Sequence, residues 1–132
     1  MQSLERRTPD VHFAFGHETG APGEARQLLT SLLRSDDLLL ADVMLVASEL
    51  VSNVVNHTDD GGSLDAWNSD PFRLEVSDHE HSMPATSNPK GERGGWGLAI
   101  VAVLARRWGV VVTAQGKTVW LEFDRRDSQQ DG

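Results

Sequence analysis

The chain has 132 residues, one domain's worth and long enough to bury a core. With 39% apolar and 24% charged residues it has the composition of a globular protein, which excludes wholesale disorder, and with no cysteine it excludes disulfides, thiolate metal sites and cysteine nucleophiles. Twenty acidic residues against twelve basic leave a net charge of −8, so there is no basic surplus to neutralise a nucleic-acid backbone.

Any polyphosphate ligand must therefore be held by metal, backbone N–H groups and a few local cations. No apolar run approaches the roughly 20 residues of a membrane span. Met1-Gln2-Ser3-Leu4-Glu5-Arg6-Arg7 is not followed by the apolar stretch of a signal peptide. The expectation is a cytoplasmic protein with neither a membrane nor nucleic acid as partner.

After a polar tail over residues 1–10, Val11 to Phe15 alternates weakly and reads as a strand. Gly16 to Gly20 is a loop, and Ala21-Pro22 opens a helix to about Arg34. Its apolar stripe is Ala25, Leu28, Leu29, Leu32 and Leu33. Ser35-Asp36-Asp37 offers N-caps for a second helix from about Leu38 to Asn56. That helix is apolar around most of its circumference, hence buried, with Asp42, Glu49 and Asn53 as exceptions. Turn residues from His57 to Gly62 end it.

Ser63 to Trp67 is a strand, and Phe72 to Ser77 alternates cleanly as the next. From Asp78 to Gly95 nothing is periodic; a loop of that length in a compact domain is usually functional. A third helix is expected from about Trp96 to Arg107. Gly109 to Gln115 and Lys117 to Phe123, split by Gly116, read as a terminal hairpin before a polar tail over residues 124–132. This order predicts an α+β two-layer sandwich, a mixed sheet with three helices on one face, within a single domain over residues 11–123.

Three segments carry chemistry. Glu49 and Asn53 stand four apart on the second helix, so their polar heads point the same way about one turn apart. A carboxylate and an amide on an apolar helix call for an occupant, and a hydrated divalent cation with phosphate attached fits both; a water-facing helix edge is the simpler reading. Asp78 closes the cleanest strand, where a carboxylate can accept from an exocyclic amine such as the adenine N6; for an isolated Asp a turn residue is the simpler reading. Gly94-Gly95-Trp96-Gly97-Leu98-Ala99-Ile100-Val101 leads straight into a helix, the arrangement in which backbone N–H groups cradle an anion. It is not a P-loop, since Leu98-Ala99 follows the last glycine where Lys and Ser or Thr would stand. His79-Glu80-His81 lacks a third ligand at a recognisable spacing, and Ser48, His57 and Asp42 do not make a hydrolytic triad.

In order and spacing the three segments resemble the GHKL ATPase superfamily, and within it the small anti-sigma-factor and serine-kinase-like branch. Glu49-Leu50-Val51-Ser52-Asn53-Val54-Val55-Asn56-His57 is similar to the N box. Glu75-Val76-Ser77-Asp78 with Met83-Pro84 is similar to the G1 box, and Gly94 to Val101 with Leu104 to Val110 is similar to the G2 box and its helix. Gly116-Lys117-Thr118-Val119-Trp120-Leu121-Glu122 resembles the last strand of that branch.

The resemblance implies the Bergerat ATP-binding fold with ATP and Mg²⁺ as cofactors. It implies Glu49 as the residue that polarises the attacking hydroxyl or water and Asn53 as the Mg²⁺ ligand. Asp78 would bind the adenine amino group, and Gly95, Gly97 and Leu98 would close over the phosphates. The partners it implies are an anti-anti-sigma-type protein, a sigma factor and a second copy in a homodimer. Two positions depart from the pattern: Glu80 stands where relatives often have Gly, and Trp96 where many carry Arg, leaving Arg93 or Lys90 as the nearby cations. The expected function is a regulatory serine/threonine kinase; the alternative is a non-catalytic nucleotide-binding or docking module, which Glu80 and Trp96 favour.

Overall fold

The computed structural model describes residues 7–34, 37–58, 60–79, 98–114 and 116–125. The elements in chain order are β1 (Val11–Phe15), α1 (Ala21–Leu33), α2 (Asp37–His57), β2 (Gly62–Trp67), β3 (Phe72–Asp78), α3 (Leu98–Leu104), β4 (Arg107–Thr113) and β5 (Gly116–Phe123). The strands form a five-stranded sheet in the order β1-β2-β3-β5-β4. The α+β class is as expected, with one correction: all four pairings are antiparallel, where a mixed sheet was expected. β3 and β4 do run parallel, as a strand–helix–strand crossover requires, but β5 slots between them, antiparallel to both.

Strand alternation decides which residues meet the helices. Along β3, Phe72, Leu74, Val76 and Asp78 are buried while Arg73, Glu75 and Ser77 are half-exposed. Register places Phe72, Leu74, Val76 and Asp78 opposite Phe123, Leu121, Val119 and Lys117 of β5. α1 buries Ala21, Ala25, Leu29 and Leu33, a stripe at four-residue spacing, while Leu28 of the expected stripe turns out to water. α2 buries Val43, Val46, Ala47, Leu50, Val51 and Val54 between α1 and the sheet.

The stretch Leu38–His57 of α2 is 20 residues long and apolar enough to cross a membrane by length and composition, which corrects the expectation that no run reaches that length. Here its buried side packs on α1, β2 and β3 as the core helix of a layered domain, while Leu38 and Leu45 stay exposed.

The other face of the sheet mixes Trp67, Trp120 and Val111 with polar residues that satisfy one another. Arg73 bonds Glu75 and Glu122 at 2.9 Å each, Arg107 bonds Glu122 at 2.8 Å, and the Ser77 and Thr118 hydroxyls meet at 2.7 Å. Arg73 also lies over the Trp120 ring, 4.9 Å from its centroid. At the β1–α1 turn the Glu18 carboxylate accepts the Gly16 N–H at 2.8 Å, which holds its pKa below the usual carboxylate range.

The third helix ends earlier than its sequence pattern predicts. The Ala105 N–H still bonds the Val101 carbonyl, but the Arg106 N–H already bonds the Glu122 carbonyl, so β4 begins at Arg107 instead of Gly109. Arg106 pairs with Asp124 and Arg107 with Glu122, and those partners lie along β5 and just past its end. The backbone ladder with β5 takes up both residues, and these ion pairs accompany it.

Candidate functional site

Glu49 and Asn53 fall where the helical spacing puts them, on the water-facing side of α2 in its C-terminal half. Glu49 is exposed and Asn53 half-exposed. Their neighbours Leu50, Val51 and Val54 are fully buried, so the pair rides on a helix face held rigidly by the core. Ser48 turns its hydroxyl back onto the Leu45 carbonyl at 3.3 Å.

The end of α2 is fastened to the sheet by small residues. The Thr58 hydroxyl donates to the Val54 carbonyl at 2.8 Å and finishes the helix. Gly61, at φ +74°, makes the turn into β2; a Cβ there would lie 2.3 Å from the Phe15 carbonyl oxygen. A Cβ at Gly62 would sit 2.0 Å from the Ser77 carbonyl oxygen and 3.1 Å from a methyl of Val54, so the last turns of α2 press against the β2–β3 end. Gly62 pairs with Asp78 across the ladder. By this route α2, carrying Asn53 beside Val54, is brought to the end of the sheet where Asp78 stands.

Asp78 is a carboxylate only 5% exposed. A buried carboxylate needs hydrogen-bond donors, and the Lys117 N–H donates to its Oδ1 at 3.1 Å. The strand that supplies this donor can approach only because Gly116, at φ +142°, precedes it. A Cβ at Gly116 would lie 2.2 Å from the Asp78 carbonyl oxygen and 2.9 Å from Oδ1. On the other side the His79 N–H bonds the Gly61 carbonyl at 3.0 Å, closing the strand end. Asp78 is therefore oriented by backbone on both flanks, in register with the β5 start and the α2–β2 turn.

Gly95 and Gly97, together with Glu80, Lys90, Arg93 and Trp96, lie outside the described residues. Leu98 opens α3, which packs against α2. Asp42 belongs to another place, two turns before Glu49 on α2. Gly62 and Gly116 are the positions that the sequence reading missed as parts of the site. Their role depends on which residue each faces across the ladder, and register is fixed by the folded sheet.

Among the described residues no group of three His, Cys, Asp or Glu side chains could hold a metal ion. A Mg²⁺ site needs no such cage, since this ion is held by one or two protein oxygens with phosphate and water. Asn53, half-exposed and one helical turn from the Glu49 carboxylate, carries an amide oxygen of the kind that role needs.

The family profile described as "Histidine kinase-like ATPase domain" matches residues 18–123. Comparison with curated proteins gives no match. Among solved structures, the chain is similar to the RsbU and RsbW domains of Rv1364c from Mycobacterium tuberculosis, with a TM-score of 0.66 and 23% identity over 91% of this chain. It spans about a third of that longer chain, 33%. The shared fold and the profile over residues 18–123 lead to one conclusion: the chain belongs to the histidine kinase-like ATPase domain family, the GHKL superfamily.

Proposed function

We propose that the chain is an ATP- and Mg²⁺-dependent regulatory serine/threonine kinase that transfers the γ-phosphate to a protein of the anti-anti-sigma type and restrains a sigma factor. Membership of an ATPase family implies ATP as the ligand. The observation that supports the reading is a buried, backbone-oriented Asp78 whose ladder partner Gly62 lies against Val54 of α2, the helix that carries Glu49 and Asn53. Anti-sigma partners are supported by the fold shared with a chain containing an RsbW domain.

In this reading Asp78 uses one oxygen to accept the Lys117 N–H and offers acceptor capacity to the adenine amino group. Asn53 supplies an amide oxygen to Mg²⁺, which when bound neutralises charge on the β- and γ-phosphates. Glu49 orients the acceptor hydroxyl and takes its proton. Its exposure suits that task, since the hydroxyl arrives on another protein. Positioning and charge neutralisation carry phosphoryl transfer, and one oriented base adds roughly 10²–10⁴-fold.

The alternative, a docking module without turnover, is favoured by Glu80 and Trp96, which stand in the sequence where relatives often have Gly and many carry Arg. Transfer of labelled γ-phosphate to candidate acceptor proteins separates the two. Glu49→Gln is expected to lower the transfer rate by about 10²-fold or more while leaving ATP affinity within about twofold. Transfer at the parental rate would remove Glu49 from the chemistry. Absence of transfer by the parent, with ATP still bound, would favour the docking module.

A further inference from the structure

We propose that the outer edge of β4, from Gly109 to Thr113, is a docking site for an extended, uncharged segment of a protein partner, which adds to the sheet as a sixth strand. Among the described residues β4 ends the sheet: β5 pairs with one side of it and no strand with the other. Every second residue of such a strand turns its backbone N–H and C=O away from the sheet, with no strand there to receive them.

Edge strands are ordinarily guarded by short length, charge, proline or a bulge. β1, at the opposite edge, is five residues long, carries His12 bonded to Asp65 and packs on α1. Beyond its first residue β4 has none of these guards. Its register is unbroken over seven residues, from Arg107 opposite Glu122 to Thr113 opposite Gly116, and Trp108 to Thr113 include neither charge nor proline. Three consecutive valines are exposed on it, Val110 by 41%, Val111 by 48% and Val112 by 58%. Val110 and Val112 stand on the helix side, opposite Val119 and Lys117, and Val111 on the other face, opposite Thr118. Trp108, at the α3 end of the strand, packs on the core.

These features specify the occupant. Valines on both faces of the edge call for apolar or β-branched residues at successive positions, and only an extended segment meets both faces and the main-chain row together. A charge set over the valines would lose hydration and find no counter-ion between Trp108 and Thr113. At the strand's start Arg107 is already paired with Glu122, and Lys117 lies one strand further in. A second copy would bring a whole domain of charge −8 against another for the same short row of bonds. The edge is about 23 Å long and one strand wide, well below the roughly 800 Å² per partner of a stable dimer. A segment gains that row without the repulsion.

Val112 ends the cross-strand row Gly62–Asp78–Lys117–Val112, so an added strand lies three strand spacings, about 14 Å, from Asp78. The docking does not rest on the kinase reading.

The test is fluorescence anisotropy of a labelled synthetic peptide of about ten residues, alternating threonine and valine, titrated with the full chain without nucleotide. Saturable binding is expected, accompanied by slowed amide hydrogen exchange at alternate residues between Gly109 and Thr113. N-methylation of the peptide's internal amides keeps its side chains and removes its donors, and is expected to weaken binding about tenfold or more. Val112→Lys is expected to do the same, whereas Val103→Lys, at a 78% exposed position on α3, stays within about twofold of the parent. The N-methylated peptide needs no protein variant, so the test survives a variant that fails to fold. No saturable binding, equal binding of the N-methylated peptide, or equal weakening by Val103→Lys and Val112→Lys overturns the proposal. A dimer in sedimentation that Val112→Lys abolishes, in a protein that binds no peptide, gives the edge to a second copy and overturns it as well.

Discussion

The backbone N–H of Lys117 donates to the carboxylate of Asp78, 39 positions earlier in the chain, at 3.1 Å. This bond joins the start of the last strand to the residue that would read the adenine. It is available because Gly116 brings the strand in with a left-handed φ of +142°.

Gly116→Ala should therefore damage fold and site together. The added methyl would lie 2.2 Å from the Asp78 carbonyl oxygen, on a backbone that disfavours a side chain. We expect a loss of about 1–3 kcal/mol in urea denaturation, accompanied by weaker nucleotide binding. Unchanged stability would show that the strand start can relax away from Asp78 at little cost.

Asp78→Asn tests the adenine contact. An amide can keep the acceptor that faces Lys117 while presenting a donor toward the donor N6 of adenine. Losing a charge-assisted bond corresponds to about 10- to 100-fold weaker ATP binding. Competition against a fluorescent ATP analogue measures it, and an unaltered constant would mean that the base lies elsewhere.

Asn53→Ala tests the metal contact. If its amide oxygen is a Mg²⁺ ligand, the variant should need about tenfold more Mg²⁺ to reach half-maximal ATP binding. Metal-free ATP binding should change little. Calorimetric titrations across a Mg²⁺ series would expose the contrary case, an identical Mg²⁺ dependence for variant and parent.

The two sides of α2 should respond differently to truncation. Leu50 is fully buried, and Leu50→Ala is expected to cost about 2–5 kcal/mol. Leu38 is 68% exposed, and Leu38→Ser should stay within about 0.5 kcal/mol of the parent. Chemical denaturation of both variants reads this directly; a large loss at Leu38 would mean that this face is covered.

Local patterns in the chain carried most of the fold. The period-2 alternation from Phe72 to Ser77 and the nearly all-apolar run of α2 are one-dimensional signals, and the elements lie within a residue or two of them. The boundary between α3 and β4 was not readable, because Ala105, Arg106 and Arg107 extend a helical pattern until the backbone at Arg106 and Arg107 pairs with Glu122 of β5. The sheet's uniform antiparallel pairing was hidden for a related reason: where β5 inserts is a choice between strands, made by the packing of Val119, Leu121 and Phe123 against β3. Glu49, Asn53 and Asp78 could be named from spacing and resemblance. Gly62 and Gly116 could not, because each acts through a residue that only the ladder brings opposite.

The most direct measurement is calorimetric titration of the chain with ATP in the presence of Mg²⁺, for the parent and for Asp78→Asn. Saturable heat in the parent, at least tenfold weaker or absent in the variant, is the predicted result. No heat from the parent at millimolar ATP, or equal affinity in the two proteins, would contradict a nucleotide site built on Asp78 and the Glu49–Asn53 face of α2.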